Sequence, residues 1–83
     1  MKVYVLTEIS SGEVNIELDN QRVFIDKDKA IKALNDSCIQ LFDDLHDYNI
    51  SAYQKMFNFY SFSVETDEGI IHYEGYVFEK EVE

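Results

Sequence analysis

The 83-residue sequence contains no proline and no tryptophan, three glycines and a single cysteine. One cysteine excludes an internal disulfide and fits a reducing compartment, so the chain is expected in the cytoplasm, standing on its apolar core alone. No apolar run approaches the roughly 18–20 residues that span a bilayer. The chain opens on an alternating segment, Lys2–Ile9, where a leader would have a basic stretch followed by an apolar one, so no leader and no membrane anchor are expected. The three glycines fall at separate turn or strand positions and form no phosphate-cradling loop. One cysteine and two histidines are too few for a zinc site, and the 12-residue calcium loop with its central Gly and terminal Glu is absent. No metal and no cofactor are therefore expected. Positive charge is also scarce: seven Lys and Arg stand against 17 Asp and Glu, a formal net charge of −10. Such a balance argues against nucleic acid or an anionic membrane surface as a direct ligand.

Apolar residues make up 46% of the chain, with six tyrosines and six phenylalanines. That is enough for one compact core, and the length allows one domain, residues 1–83. Residues 2–9 are β-branched and aromatic and read as a strand. Ser10-Ser11-Gly12 carries turn chemistry, and 13–18 alternates, with Val14, Ile16 and Leu18 on one face and Glu13, Asn15 and Glu17 on the other. After a polar break at 19–21, residues 22–25 form a short extended piece. Asp26 is a candidate N-cap. Beyond it, Ile31, Leu34, Cys38, Leu41 or Phe42, Leu45 and Tyr48 recur at helical spacing, predicting a helix of about 20 residues that ends near Asn49. Residues 50–55 read as a connector. Residues 56–66 and 70–79 form a hairpin about Asp67-Glu68-Gly69, with a bulge expected at Gly75 and a fraying tail from Glu79. The predicted fold is α+β, in the order β-β-α-β-β, one amphipathic helix on an antiparallel sheet.

Charge is distributed unevenly along this plan. Residues 1–33 hold five basic and six acidic side chains, whereas residues 34–83 hold Lys55 and Lys80 against eleven acids. The boundary falls inside the helix, so lysines crowd its first turns and aspartates its last, the reverse of what the helix dipole favours. Asp36, Gln40, Asp43 and Asp47 form one stripe on the face opposite Leu34 and Cys38, with Asp44 beside it. Their carboxylates stand about 5.4–11 Å apart along the axis, a spacing comparable with that of phosphates on a nucleic-acid strand. Glu65, Asp67, Glu68 and Glu74 form a second acidic group around the hairpin. The competing reading is an acidic face that serves only solubility.

Enzymatic chemistry finds little support. Cys38 lies mid-helix on the apolar face, in acidic surroundings that do not activate a thiol. His46 flanks the apolar stripe and His72 takes an outward strand position, and no nucleophile–base signature surrounds either. A non-enzymatic protein is expected. The aromatics of the last two strands, Phe57, Phe59, Tyr60, Phe62, Tyr73, Tyr76 and Phe78, are too many for one helix to cover. Some are expected outside it, where a homodimer through the sheet would bury them.

In size, acidity and α+β order, with the Asp36/Asp43/Asp47 stripe and Asp44 beside it, the chain resembles small host-takeover proteins of bacteriophages, among them DNA mimics and anti-CRISPR-type inhibitors. The resemblance implies blockade without turnover: docking on a basic surface of a nucleic-acid-binding protein through Asp36, Asp43, Asp44, Asp47, Glu65, Asp67, Glu68 and Glu74. The alternative is a small self-associating structural protein whose acidity keeps it in solution.

Overall fold

A computed structural model describes residues 1–14, 16, 18 and 21–82. Its elements are β1 (Lys2–Gly12), β2 (Gln21–Phe24), α1 (Lys27–Asp44), β3 (Asn49–Met56), β4 (Phe59–Thr66) and β5 (Gly69–Glu81). The five strands form one antiparallel sheet in the order β2-β1-β5-β4-β3, and α1 packs on one face of it. The expected β-β-α-β-β order is thereby corrected, because the sheet has five strands and three of them follow the helix.

Three local reasons account for the difference. Residues 50–55, read as a connector, lie in the edge strand β3. Only Ile50 is half-buried there, so no hydrophobic period marks the strand, and its pairing with β4 slips between Ser51 and Gln54, where Ala52 takes a φ of +52°. Ser10-Ser11-Gly12 is no turn, because β5 is long enough to pair with the whole of β1, down to Ser11 opposite His72 and Gly12 opposite Ile71. The chain turns afterwards, with the Glu13 and Val14 N–H groups both donating to the Ile70 carbonyl. Of the strand expected over 13–18, Glu13, Val14, Ile16 and Leu18 belong to no strand, while Asn15 and Glu17 lie outside the described residues, as do Asp19 and Asn20 of the polar break. The tail does not fray at Glu79 either. Glu79, Lys80 and Glu81 pair with Tyr4, Val3 and Lys2, and the N-terminal amine binds Glu81 and the Val82 carbonyl; Glu83 lies outside the described residues.

The helix begins as expected. The Asp26 carboxylate accepts from the Asp28 N–H at 2.9 Å. It ends earlier than Asn49, with the Leu45 N–H closing the last turn on the Leu41 carbonyl. Ala30, Leu34 and Cys38 are buried on its inner face, against Leu6 of β1, Tyr60, Phe62 and Val64 of β4 and Ile71, Tyr73 and Val77 of β5. No bulge occurs at Gly75, which stays in register with Glu8 on one side and Tyr60 on the other. It is glycine for packing: a Cβ there would strike the Tyr73 hydroxyl and come within 2.8 Å of Leu34 Cδ1.

The opposite sheet face carries no helix. Alternation and register place Val3, Val5 and Thr7 of β1, Val23 of β2, Met56 of β3, Phe59 and Ser61 of β4 and Tyr76 and Phe78 of β5 on it together. Val3 and Val5 are buried yet stand outside the core cluster.

Candidate functional site

The sheet and helix convert the uneven charge of the sequence into a polarity in space. The molecule measures 46 × 18 × 17 Å. Its long axis follows β1 and β5, since 13 residues at a strand rise of about 3.3 Å cover about 43 Å. α1 runs the same way. Its first residue, Lys27, lies near Tyr4 and Glu79, and near its end Phe42 stacks on Phe62. The helix therefore delivers Asp43 and Asp44 to the end where β4 turns into β5. The next residues bring Asp47 there too, because β3 starts at Asn49, opposite Glu65.

Asp43, Asp44, Asp47, Glu65, Asp67 and Glu68 thus share one pole and all are exposed. Asp67 and Glu68 sit on the hairpin turn, held by Thr66, whose hydroxyl donates to the Gly69 carbonyl at 2.7 Å and accepts from the Glu68 N–H. Asp44 accepts from Gln40 at 3.0 Å. Asp47 lies beyond the helix, so the stripe expected along one helical face is broken before its last member. Two expected residues stand apart. Asp36 lies further back on the helix in an ion pair with Lys32 at 2.7 Å, and Glu74 lies on the outward sheet face, 3.7 Å from His72 Nε2. Glu13 joins the pole unexpectedly. Its carboxylate lies against Gly69, where a Cβ would approach Oε2 to 2.8 Å. An acidic residue on a presumed strand gave no sign of this placement.

The lysines gather toward the other end. Lys2 and Lys80 lie on the far ends of β1 and β5, Lys27 caps the Phe57 ring at 5.1 Å and Lys55 the Tyr60 ring at 5.6 Å. At the acidic pole, the cation beside Asp43 and Asp47 is conditional. His46 donates from Nδ1 to the Asp43 carbonyl at 2.7 Å and places Nε2 3.2 Å from Asp47. That carbonyl, and then the Asp47 charge, raise the His46 pKa. Among the described residues no group of three His, Cys, Asp or Glu side chains is arranged to hold a metal ion.

A buried polar network lies beneath the helix. Glu8, 3% exposed, accepts from Tyr73 at 3.0 Å, Arg22 at 3.3 Å and Ser37 at 3.4 Å. Burial, then the neighbouring Glu8 charge, push the Tyr73 phenol far up, so it stays a donor. The Glu8 lone pairs are spent on β5, β2 and α1, which the network ties to β1. The sequence places Glu8 in phase with Tyr4 and Leu6, an inward position, and that phase is the signal that could have found it. Cys38 is buried as expected, with its pKa pushed up to about 11 by desolvation. Beside it, Ile31, Ile39, Phe42, Tyr53 and Phe57 line an open apolar groove between α1 and β3.

Comparison of the chain with family models, with curated proteins and with solved structures finds no match in any of the three. Among the described residues no helix is long and apolar enough to cross a membrane.

Proposed function

We propose that this chain is a non-enzymatic, cytoplasmic interaction module that docks its acidic pole on a basic, nucleic-acid-binding surface of a partner protein and blocks it, as DNA-mimic and anti-CRISPR-type phage proteins do. The supporting observation is the gathering of Asp43, Asp44, Asp47, Glu65, Asp67 and Glu68 at one end, with the lysines gathered toward the other. Carboxylates crowded in this way repel one another, and the arrangement repays that cost when a cationic surface neutralises them. Steering by such a pole sets the encounter rate, and exposed apolar side chains near it, such as Tyr48 and Ile70, supply desolvated contacts.

The test is affinity capture from a cell lysate at low salt, with the native chain and an Asp43/Asp44/Asp47→Asn variant as parallel baits. The native chain should retain basic nucleic-acid-binding proteins that elute as salt rises, and the variant should lose them. Equal capture by both baits would sink the proposal. A second reading, a self-associating structural protein, is favoured by the helix-free sheet face.

A further inference from the structure

A single helix covers one face of the sheet, and the composition of the other face is not that of a solvated surface. Across the sheet, one row holds Val23, Val5 and Phe78, and the next holds Gln21, Thr7, Tyr76, Phe59 and Met56. The Tyr76 and Phe78 rings lean together at 5.9 Å between centroids. Val23 and Met56 are each 65% exposed at the margins and Phe78 is 39% exposed at the centre. Past these rows polar side chains enter the face, Glu74 and Ser61 beside Ile9, then His72 and Ser63, and then Glu65 beside Ile70.

Charges flank the apolar rows on the central strand. Lys80 lies one row beyond Phe78, and Glu74 one row beyond Tyr76 in the other direction. A twofold axis lying between two stacked sheets, at right angles to β5 and level with the midpoint of Phe78 and Tyr76, sets each apolar row on the other. It also sets Lys80 over the partner's Glu74, twice by symmetry. This arrangement sends the two acidic poles to opposite ends. A stack with the strands parallel would lay them side by side, at a net charge of −10 per chain.

We propose that the outward sheet face binds a second copy of this chain, with the two β5 strands antiparallel, Phe78 against the partner's Tyr76 and Lys80 paired with the partner's Glu74. The register superposes three strands at each apolar row and two at each flanking row, and at about 6.7 Å by about 4.8 Å per position this gives roughly 320 Å² per copy and about 640 Å² in all, the size of a transient contact. The dimer is therefore weak and concentration-dependent. It leaves both acidic poles free, and so stands independently of what those poles bind.

Sedimentation equilibrium of the full chain over a concentration series tests this, with circular dichroism of each variant as the control for folding. The native chain should follow a monomer–dimer equilibrium, and Phe78→Glu should remain monomeric. Glu74→Lys and Lys80→Glu should each weaken the dimer about tenfold or more, and the double exchange should restore it. The two exchanges are surface changes that keep the core intact, so the register is tested even where Phe78→Glu does not fold. A native chain monomeric up to about 1 mM, single reversals that dimerise normally, or a double exchange that fails to restore association would each overturn the proposal. Lysate capture by the acidic pole should be unchanged in Lys80→Glu, which separates failure of the dimer from failure of the docking function.

Discussion

At the residue scale, the positions that matter most are those where a side chain, or its absence, answers to a distant element. Gly75 leaves the space in which Leu34 meets the Tyr73 hydroxyl, and that hydroxyl is held in turn by Glu8. A methyl group there cannot be accommodated by a free rotamer, since both neighbours are fully buried. Gly75→Ala should cost about 1–3 kcal/mol, read as a melting temperature lower by about 4–8 °C per kcal/mol in a domain of this size. An unchanged melting temperature would show that the helix can shift off the sheet at little cost. Glu8 follows the same logic, a carboxylate buried because three elements each supply it a donor. The sequence displays the inward phase of Glu8 and the placement of Gly75 in a strand, but not the partners. Those partners lie up to 65 residues away, and no local period encodes them.

At the scale of elements, the segments that were legible are those buried on one side. α1 shows its 3.6-residue period and its Asp26 cap, and β4 and β5 alternate because one face packs on the helix. β3 was illegible because it is exposed on both sides, and β1 was cut short because its last residues look like a turn until β5 pairs with them. The end of the helix carries a prediction of its own. With the His46 pKa raised above its ordinary 6.5 by the Asp43 carbonyl and then Asp47, the folded state binds this proton more tightly than the unfolded state. The stabilisation is fully present below about pH 6.5 and is lost as pH rises through the folded value. Thermal melts from pH 5.5 to 8.5 should show the native chain losing stability relative to His46→Gln across that window. Parallel curves would mean that the imidazole is free of the helix end.

At the scale of the whole molecule, charge is organised by topology. The long pair β1–β5 sets the axis, and α1 carries Asp43 and Asp44 to one end of it, where the β4–β5 turn adds Asp67 and Glu68. Among the described residues no Lys or Arg follows them there, so the pole repels itself. Raising ionic strength from about 0.01 M to about 0.3 M shrinks the screening length from about 30 Å to well under 10 Å, and should raise the melting temperature by several degrees. The Asp43/Asp44/Asp47→Asn variant should begin higher and respond less. A melting temperature indifferent to salt in the native chain would contradict the polarity.

The sequence by itself determined one helix-and-sheet domain, the helix with its cap, the burial of Cys38, the hairpin of β4 and β5 and the excess of negative charge. Each of these is written in neighbouring residues, as a period, a cap or a count. Only the tertiary structure decided that β3 is a strand, that Glu8 is buried and bonded, that the acids meet at one pole and that Val5, Val23, Tyr76 and Phe78 share an uncovered face. The physical reason is that pairing partners, and the face a side chain shares with other strands, depend on residues far apart in the chain, which come together only when the sheet closes.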